Sequence, residues 1–117
     1  AEIESVLVAH PAVNEAAAIG VPHEVKGSEV VCFCVLNPGH TGDAALVEEL
    51  RAAVIHAMGK PLAPRAIHFV CDIPKTRNGK IMRRIVRSAW LGHDPGDTSS
   101  LVNPAAVDDI RALGARE

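Results

Sequence analysis

The most informative run for the architecture is Val30-Val31-Cys32-Phe33-Cys34-Val35-Leu36, in which every residue is apolar. It is rich in β-branched residues and lies between Gly27 and the turn pair Pro38-Gly39, so it predicts a β-strand over 29–36. A strand in which polar and apolar residues do not alternate is buried on both faces. We therefore expect helices on both faces of the sheet that contains this strand.

Helical and extended patterns alternate on either side of this strand. Apolar residues recur with helical spacing in four segments, which are 3–10, 46–58, 81–91 and a short last helix. This last helix would begin at Asn103-Pro104, with Asn103 as its N-cap and Pro104 in its first turn. Extended apolar runs occur at 13–21, 29–36 and 66–71. The predicted fold class is α+β, a small sheet of about three strands with helices packed on both faces.

The composition describes one folded domain. The chain has 117 residues, of which 48% are hydrophobic, and its net charge is −2. No apolar run approaches the roughly 18 residues of a membrane helix, and no secretory leader is present, so we expect a cytoplasmic protein without membrane contacts. Cys32, Cys34 and Cys71 lie in apolar surroundings and predict buried free thiols rather than disulfides. Because the chain begins at Ala1 already in helical pattern, we expect it to be a piece of a longer protein.

The positive charge is concentrated in one segment. Six of the twelve Lys and Arg residues lie between Lys75 and Arg87, and no acid interrupts them. Such a patch marks where anions are bound, and one reading is a stand-alone module that binds anions or nucleic acid through residues 75–87. The patch contains no aromatic residue on which a base could stack, so we do not expect nucleic acid as a partner.

A loop within this segment carries the residues best suited to chemistry. Asn78-Gly79 is a turn pair, and we expect Lys80 to stand where the loop becomes a helix, beside backbone N–H groups of partial positive charge. Thr76 can donate to an oxygen, and Arg77 can bind a phosphate with two N–H groups. A lysine presented in this way can stabilise charge that develops on a carboxylate or phosphate.

The loop also carries a family resemblance. Pro74-Lys75-Thr76-Arg77-Asn78-Gly79-Lys80 is similar to the last motif of the adenylate-forming enzymes, and the chain resembles the C-terminal domain of AMP-forming acyl-CoA synthetases. Further matching stretches are Glu2-Ile3-Glu4-Ser5, His10-Pro11, Pro22-His23, Lys26-Gly27, Gly96-Asp97-Thr98-Ser99-Ser100-Leu101 and Asn103-Pro104. The stretch that begins at Gly96 is typical of the acetyl and propionyl branch, so the likeness is greatest to acetyl-CoA synthetases.

The resemblance implies a two-step ligase of the acetate–CoA type. A short-chain carboxylate, acetate or propionate, attacks ATP to give acyl-AMP, and the thiol of CoA then displaces AMP. Lys80 would be the catalytic residue of the first step, with Thr76, Arg77, Asn78 and Gly79 supporting the nucleotide loop. Residues 1–91 would form a mobile lid and 92–117 a tail with a short helix. ATP with Mg²⁺ and CoA would be bound mainly by an N-terminal domain outside this chain, which would be inactive alone.

In this branch the same lysine is a target of reversible acetylation, so the resemblance also implies a protein acetyltransferase and a deacetylase that act on Lys80. Acetylation would remove the charge and stop adenylation.

Three departures from the family pattern bear on these expectations. Asn78 stands where the family usually has Ser. The hinge and the glycine loop of the CoA channel would lie upstream of Glu2. The basic residue that acetyl-CoA synthetases place near the CoA 3′-phosphate has no counterpart in Ile55-His56-Ala57. Either CoA is held differently here, or the enzyme belongs to a divergent branch that acts on another short acid. A lid of a medium-chain or aryl acyl-CoA synthetase is a separate alternative, because the acid pocket that decides the substrate would lie outside this chain.

The six histidines are dispersed along the chain and predict no metal site. His68 and Cys71 are three positions apart on a predicted strand, where their side chains would point to opposite faces.

Overall fold

The three strands form one mixed sheet. In the computed structural model, which describes residues 2–117, strand β1 covers Val13–His23, β2 covers Gly27–Leu36 and β3 covers Ala66–Phe69. Strands β1 and β2 are antiparallel, and β2 and β3 are parallel. The strand order β1-β2-β3 places the wholly apolar strand in the centre of the sheet.

Four α-helices surround this sheet. They are α1 (Glu2–Val8), α2 (Ala44–Met58), α3 (Arg83–Trp90) and α4 (Ala105–Ala115), and a 3₁₀ turn covers Lys60–Leu62. Helix α2 begins after Asp43, whose carboxylate accepts a hydrogen bond from the amide of Leu46 at 2.9 Å, and it ends at Gly59, which has a φ of 89°. An N-terminal carboxylate and a C-terminal glycine are the usual ends of such a helix.

The alternation of side chains along β2 divides the core into two apolar clusters. Val31 and Phe33 pack with residues of α3 and α4, whereas Cys32 and Cys34 pack with residues of α1 and α2. All four side chains are fully buried. The prediction of an α+β domain with helices on both faces of a three-stranded sheet is therefore confirmed.

Several predicted boundaries differ from the observed ones. Strand β1 continues through Pro22 to His23, because Pro22 lies on an edge strand where no neighbour needs its missing N–H group. The turn that follows is short, and Nδ1 of His23 accepts hydrogen bonds from the amides of Val25 and Lys26. Strand β3 ends at Phe69, so Cys71 lies beyond it and is exposed, and the expectation of a buried thiol there is wrong.

The C-terminal helix packs on α3. Val107 and Ile110 belong to the same cluster as Trp90, and Gly114 approaches the Trp90 backbone so closely that an added Cβ would lie 2.1 Å from its carbonyl oxygen. The expectation that Asn103 caps this helix with its side chain is wrong, because that side chain binds another segment. The proposed division of the chain at residue 91 stays a prediction.

No helix within residues 2–117 has both the length and the apolar character that a bilayer-spanning segment requires.

Candidate functional site

The lysine loop is a hairpin that covers residues 74–82. Lys75 pairs with Ile81 in an antiparallel bridge, and the amide of Thr76 donates to the carbonyl of Lys80 at 2.9 Å. The amide of Met82 donates to the carbonyl of Pro74 at 3.0 Å. Because these bonds hold residues 80–82 in the hairpin, α3 begins only at Arg83. The expectation that Lys80 stands at the helix start is therefore wrong.

The turn of this hairpin is fixed by two of the predicted site residues. Gly79 has a φ of 83°, a conformation that residues with a side chain rarely adopt, and its amide donates to the carbonyl of Thr76 at 2.8 Å. The hydroxyl oxygen of Thr76 accepts from the amide of Lys80 at 3.3 Å. Arg77 and Asn78 lie exposed at the tip. The structure thus brings Thr76, Gly79 and Lys80 together and places Arg77 and Asn78 outermost.

The first lysine of the loop is held inside the molecule. The Nζ atom of Lys75 lies 2.6 and 2.7 Å from the carboxylate oxygens of Glu15 and 2.9 Å from Oδ1 of Asp72. Burial by itself would lower the pKa of Lys75, but the hydrogen bonds and the charges of these two acids raise it overall. Lys75 is therefore a structural cation.

The three arginines of α3 also have acceptors in their own chain. Arg83 forms an ion pair with Glu4, Arg84 donates to the carbonyl of Pro95, and Arg87 donates to the carbonyl of Gly20. These contacts are mostly to residues distant in sequence, so the basic segment fastens α3 to α1, to β1 and to the segment that follows α3.

The remaining two bases of the segment differ from these four. Within the part of the chain that the structure describes, the side chains of Arg77 and Lys80 have no hydrogen-bond or ion-pair partner, and both are exposed. Of the six bases in this segment, these two are the ones whose side chains have no acceptor among residues 2–117. The basic patch is therefore much smaller as a binding surface than its composition indicates.

The Glu4 carboxylate is the one buried charged group of the described residues. It accepts from the amide of Ala18 at 2.8 Å and from Nε of Arg83 at 2.6 Å. Burial by itself would raise the pKa of Glu4, but these hydrogen bonds and the Arg83 charge lower it overall. A cavity of about 430 Å³ lies beside this pair, and Gly79 and Ile81 of the lysine loop form part of its wall.

A second concave region lies between the β1–β2 hairpin and the end of α2. This groove, of about 900 Å³, is lined by four bases, namely Lys26, Arg51, Lys60 and Arg65. Arg65 is paired with Glu29 and Glu117, whereas no acceptor among residues 2–117 binds the side chains of Lys26, Arg51 and Lys60. Sequence reasoning missed this groove because its four bases come from four separate segments of the chain.

The groove includes the segment in which the expected basic residue is absent. Ile55 lines its wall, one helical turn after Arg51. Residues one turn apart on a helix share a face, so Arg51 presents its charge to the same region.

Two thiols are inert by their surroundings. Burial, the first cause in each case, raises the pKa of Cys32 and of Cys34 to about 12. Among residues 2–117, no three His, Cys, Asp or Glu side chains are grouped so that they could hold a metal ion.

Comparison with known proteins agrees with the loop motif. Residues 2–80 match the model of the AMP-binding enzyme C-terminal domain. Acetyl-coenzyme A synthetase of Methanothrix soehngenii is 50% identical over 110 residues, which cover 94% of this chain and 16% of that protein. The 3-hydroxypropionyl-coenzyme A synthetase of Metallosphaera sedula is 42% identical over 110 residues, with the same coverage of 94% and 16%.

A solved structure shows the same fold. The structure of acetoacetyl-CoA synthetase from Streptomyces lividans superposes with a TM-score of 0.84 at 21% identity, over 98% of this chain and 18% of that one. The chain spans about 16% of the length of the two curated relatives. On its sequence match and its fold, the chain belongs to the family of AMP-binding enzyme C-terminal domains, that is, the C-terminal domains of AMP-forming acyl-CoA synthetases.

Proposed function

We propose that this domain is the mobile lid of an AMP-forming acyl-CoA synthetase and supplies Lys80 for the adenylation of a short-chain carboxylate. The observation that carries the proposal is the contrast within the loop. Lys80 is exposed and has no partner among the described residues, whereas the backbone on which it stands is fixed by hydrogen bonds on both strands of a hairpin. A free cation on a rigid support is what a reaction between two anions needs.

The chemistry of the first step follows from charge. A carboxylate oxygen attacks the α-phosphorus of ATP, which is bound with Mg²⁺, and the bond to pyrophosphate breaks to give acyl-AMP. Both reactants are anionic, so an ammonium group between them lowers their repulsion and stabilises the charge as it moves to the phosphate oxygens. Arg77 and Asn78 lie at the exposed tip, where their N–H groups can reach the nucleotide.

The second step requires Lys80 to leave. The thiol of CoA attacks the acyl carbon of acyl-AMP, and AMP departs. The partner of the lid is an N-terminal domain of the same enzyme that holds ATP and the carboxylate, and rotation of the lid exchanges the lysine loop for another of its surfaces. The internal contacts of Lys75 and Arg83 support rotation as a rigid body, because they fix the loop to the rest of the domain.

The phosphate end of CoA binds in the groove lined by Lys26, Arg51 and Lys60. Three cations without internal acceptors support this assignment, and Arg51 supplies the charge that is absent from 55–57. In the synthetase, Arg51→Ala should raise KM for CoA by about ten-fold and leave KM for the carboxylate unchanged. Arg116→Ala, which removes a base outside the groove, is the control, and an unchanged KM for CoA in Arg51→Ala would refute the assignment.

The acid is acetate or propionate. The relatives include an acetyl-coenzyme A synthetase and a 3-hydroxypropionyl-coenzyme A synthetase, so a hydroxylated short acid is the second candidate. The lid of a medium-chain or aryl acyl-CoA synthetase is a third. Turnover of the synthetase with acetate, propionate, 3-hydroxypropionate, octanoate and benzoate separates the three.

Regulation acts on the same lysine. A protein acetyltransferase can reach the exposed Lys80 amine, and acetylation removes the charge and stops adenylation until a deacetylase restores it. The location is the cytoplasm, where free thiols such as those of Cys32, Cys34 and Cys71 stay reduced.

The two half-reactions test the role of Lys80 directly. In the synthetase, Lys80→Ala should lower carboxylate-dependent exchange of pyrophosphate into ATP by about 100-fold or more, and formation of the thioester from supplied acyl-AMP should stay within about two-fold. Equal loss in both half-reactions would refute the assignment, because it would indicate a general defect of the domain. Arg116→Ala is the control, since this exposed base lies outside both the loop and the groove and should leave both half-reactions unchanged.

A further inference from the structure

A segment far along the chain completes the lysine hairpin. Leu101 pairs with Thr76 in an antiparallel bridge, and the amide of Val102 donates to the carbonyl of Lys75 at 3.1 Å. Residues 74–76 therefore lie between residues 80–82 on one side and 101–103 on the other. We call residues 101–103 the strap.

The side chain of Asn103 fastens the strap to the base of the hairpin. Its Oδ1 atom accepts from the amide of Lys75 at 3.0 Å, and its Nδ2 atom donates to the carbonyl of Ile73 at 2.8 Å. Pro74 lies between these two groups and has no N–H of its own, so backbone pairing cannot continue through it. One side-chain amide thus bonds the backbone on both sides of the proline.

Thr76 links the strap directly to Lys80. Thr76 pairs with Leu101 on one edge. On the other edge, its amide donates to the carbonyl of Lys80, and its hydroxyl oxygen accepts from the amide of Lys80. A shift of residues 73–76 therefore shifts the backbone of Lys80. Adenylation depends on the placement of this amine, and a displacement of about 1 Å can cost about 100-fold in rate.

We propose that Asn103 is a positioning residue for Lys80, which acts by holding the strap against the base of the lysine hairpin. The inference rests on the proposed function of Lys80. It assigns an active role in adenylation to residues that lie beyond 2–80, the part of the chain that matches the family model.

The test compares half-reactions in the full synthetase. Asn103→Ala removes both hydrogen bonds, and we expect pyrophosphate exchange to slow by about ten-fold in kcat, with KM for ATP and carboxylate within about two-fold. Thioester formation from supplied acyl-AMP should stay at the wild-type rate. Val102→Ala is the matched control, because it removes an exposed side chain from the same strap and keeps the amide that binds Lys75.

A second variant distinguishes a local effect on the hairpin from general unfolding of the domain. Asn103→Asp keeps the shape and the acceptor for the Lys75 amide, but it turns a carboxylate oxygen towards the Ile73 carbonyl and the Asp72 carboxylate. We therefore expect pyrophosphate exchange to slow by about ten-fold or more, with thioester formation unchanged. In the same variant the amides of Thr76 and Lys80 should exchange hydrogen faster, whereas those of the β1–β2 pair should not change. A wild-type rate of pyrophosphate exchange in Asn103→Asp would overturn the proposal, and so would an equal loss of rate in both half-reactions.

A parallel Lys80→Ala variant distinguishes this proposal from the proposed function. If Lys80→Ala abolishes pyrophosphate exchange and Asn103→Ala leaves it within about two-fold of wild type, the strap has no positioning role and the function of Lys80 stands. If Lys80→Ala has no effect on the exchange, the proposed function itself is wrong, and the inference falls with it.

Discussion

The side-chain amine of Lys75 lies 2.6 Å from a carboxylate oxygen of Glu15, a residue 60 positions earlier in the chain. This contact joins the lysine hairpin to β1. The two lysines of the loop motif therefore have different roles. Lys75 is enclosed by acids, whereas Lys80 projects from the turn without a partner among residues 2–117. Lys75 thus stabilises the fold of the loop, and Lys80 is left free for the reaction.

Replacement of each lysine by methionine should separate these roles in stability. Lys75→Met leaves two carboxylates without their cation, so the free energy of unfolding should fall by about 1–3 kcal/mol. Lys80→Met removes an exposed charge without an internal partner and should change the free energy of unfolding by less than about 0.5 kcal/mol. Urea denaturation of the 117-residue chain at pH 7 measures both, and equal effects would contradict the structural role of Lys75.

The Glu4–Arg83 pair should make stability depend on pH in the acid range. The folded pKa of Glu4 is lowered from 4.5, so its ionised form contributes stability above that value, and the contribution is lost as pH falls through the folded pKa. Glu4→Gln should therefore be less stable than wild type at pH 7, by about 1–2 kcal/mol, and the difference should shrink below about pH 4.5.

Glu2→Gln is the matched control for this prediction, since Glu2 lies exposed in the same helical turn. Urea titrations from pH 7 to pH 3 supply the data. A constant difference between wild type and Glu4→Gln across that range would show that the charge of Glu4 contributes nothing.

The contact between α4 and α3 should be intolerant of one methyl group. Gly114→Ala would place a Cβ atom 2.1 Å from the Trp90 carbonyl oxygen, so α4 must move, and we expect a loss of about 1–3 kcal/mol in thermal or urea unfolding. Gly20→Ala is the control, because a Cβ there meets no atom within 4 Å. If both variants were equally stable, α4 would not pack as closely as described.

The cysteines should differ in reactivity. Cys71 is exposed, whereas Cys32 and Cys34 are fully buried and their pKa is raised to about 12, so almost no thiolate forms on them near neutral pH. Ellman's reagent at pH 8 should modify one thiol in the native chain and three after denaturation. Cys71→Ser should abolish the native reaction, and rapid labelling of a second thiol would contradict the burial of β2.

The architecture could be predicted largely because its signals are local. The uninterrupted apolar run of β2 specified a central strand, and the helical spacing of Leu46, Leu50 and Val54 specified α2. The start of α3 could not be predicted, because residues 80–82 have helical spacing but pair with 74–76. Tertiary hydrogen bonds decide such boundaries over local propensity.

For the candidate site, the motif located the lysine loop but not its surroundings. The arginines of α3 have the pattern of a solvated face, and their acceptors lie at separations such as the 79 positions between Glu4 and Arg83. Asn103 was expected to be a helix cap because Asn before Pro has that pattern, and its bonds to Ile73 and Lys75 depend on contacts across 30 and 28 positions. Such contacts leave no periodic signal in the sequence.

The three-strand pairing around Thr76 has a consequence for the construction of chimeric synthetases. The family match ends at Lys80, which would be a natural place to join this domain to a foreign C-terminus. A junction there would replace residues 81–82 on one edge of 74–76 and residues 101–103 on the other. A transplanted lysine loop should therefore be carried with its own residues through Asn103, since the smallest exchangeable unit of this domain extends past its motif.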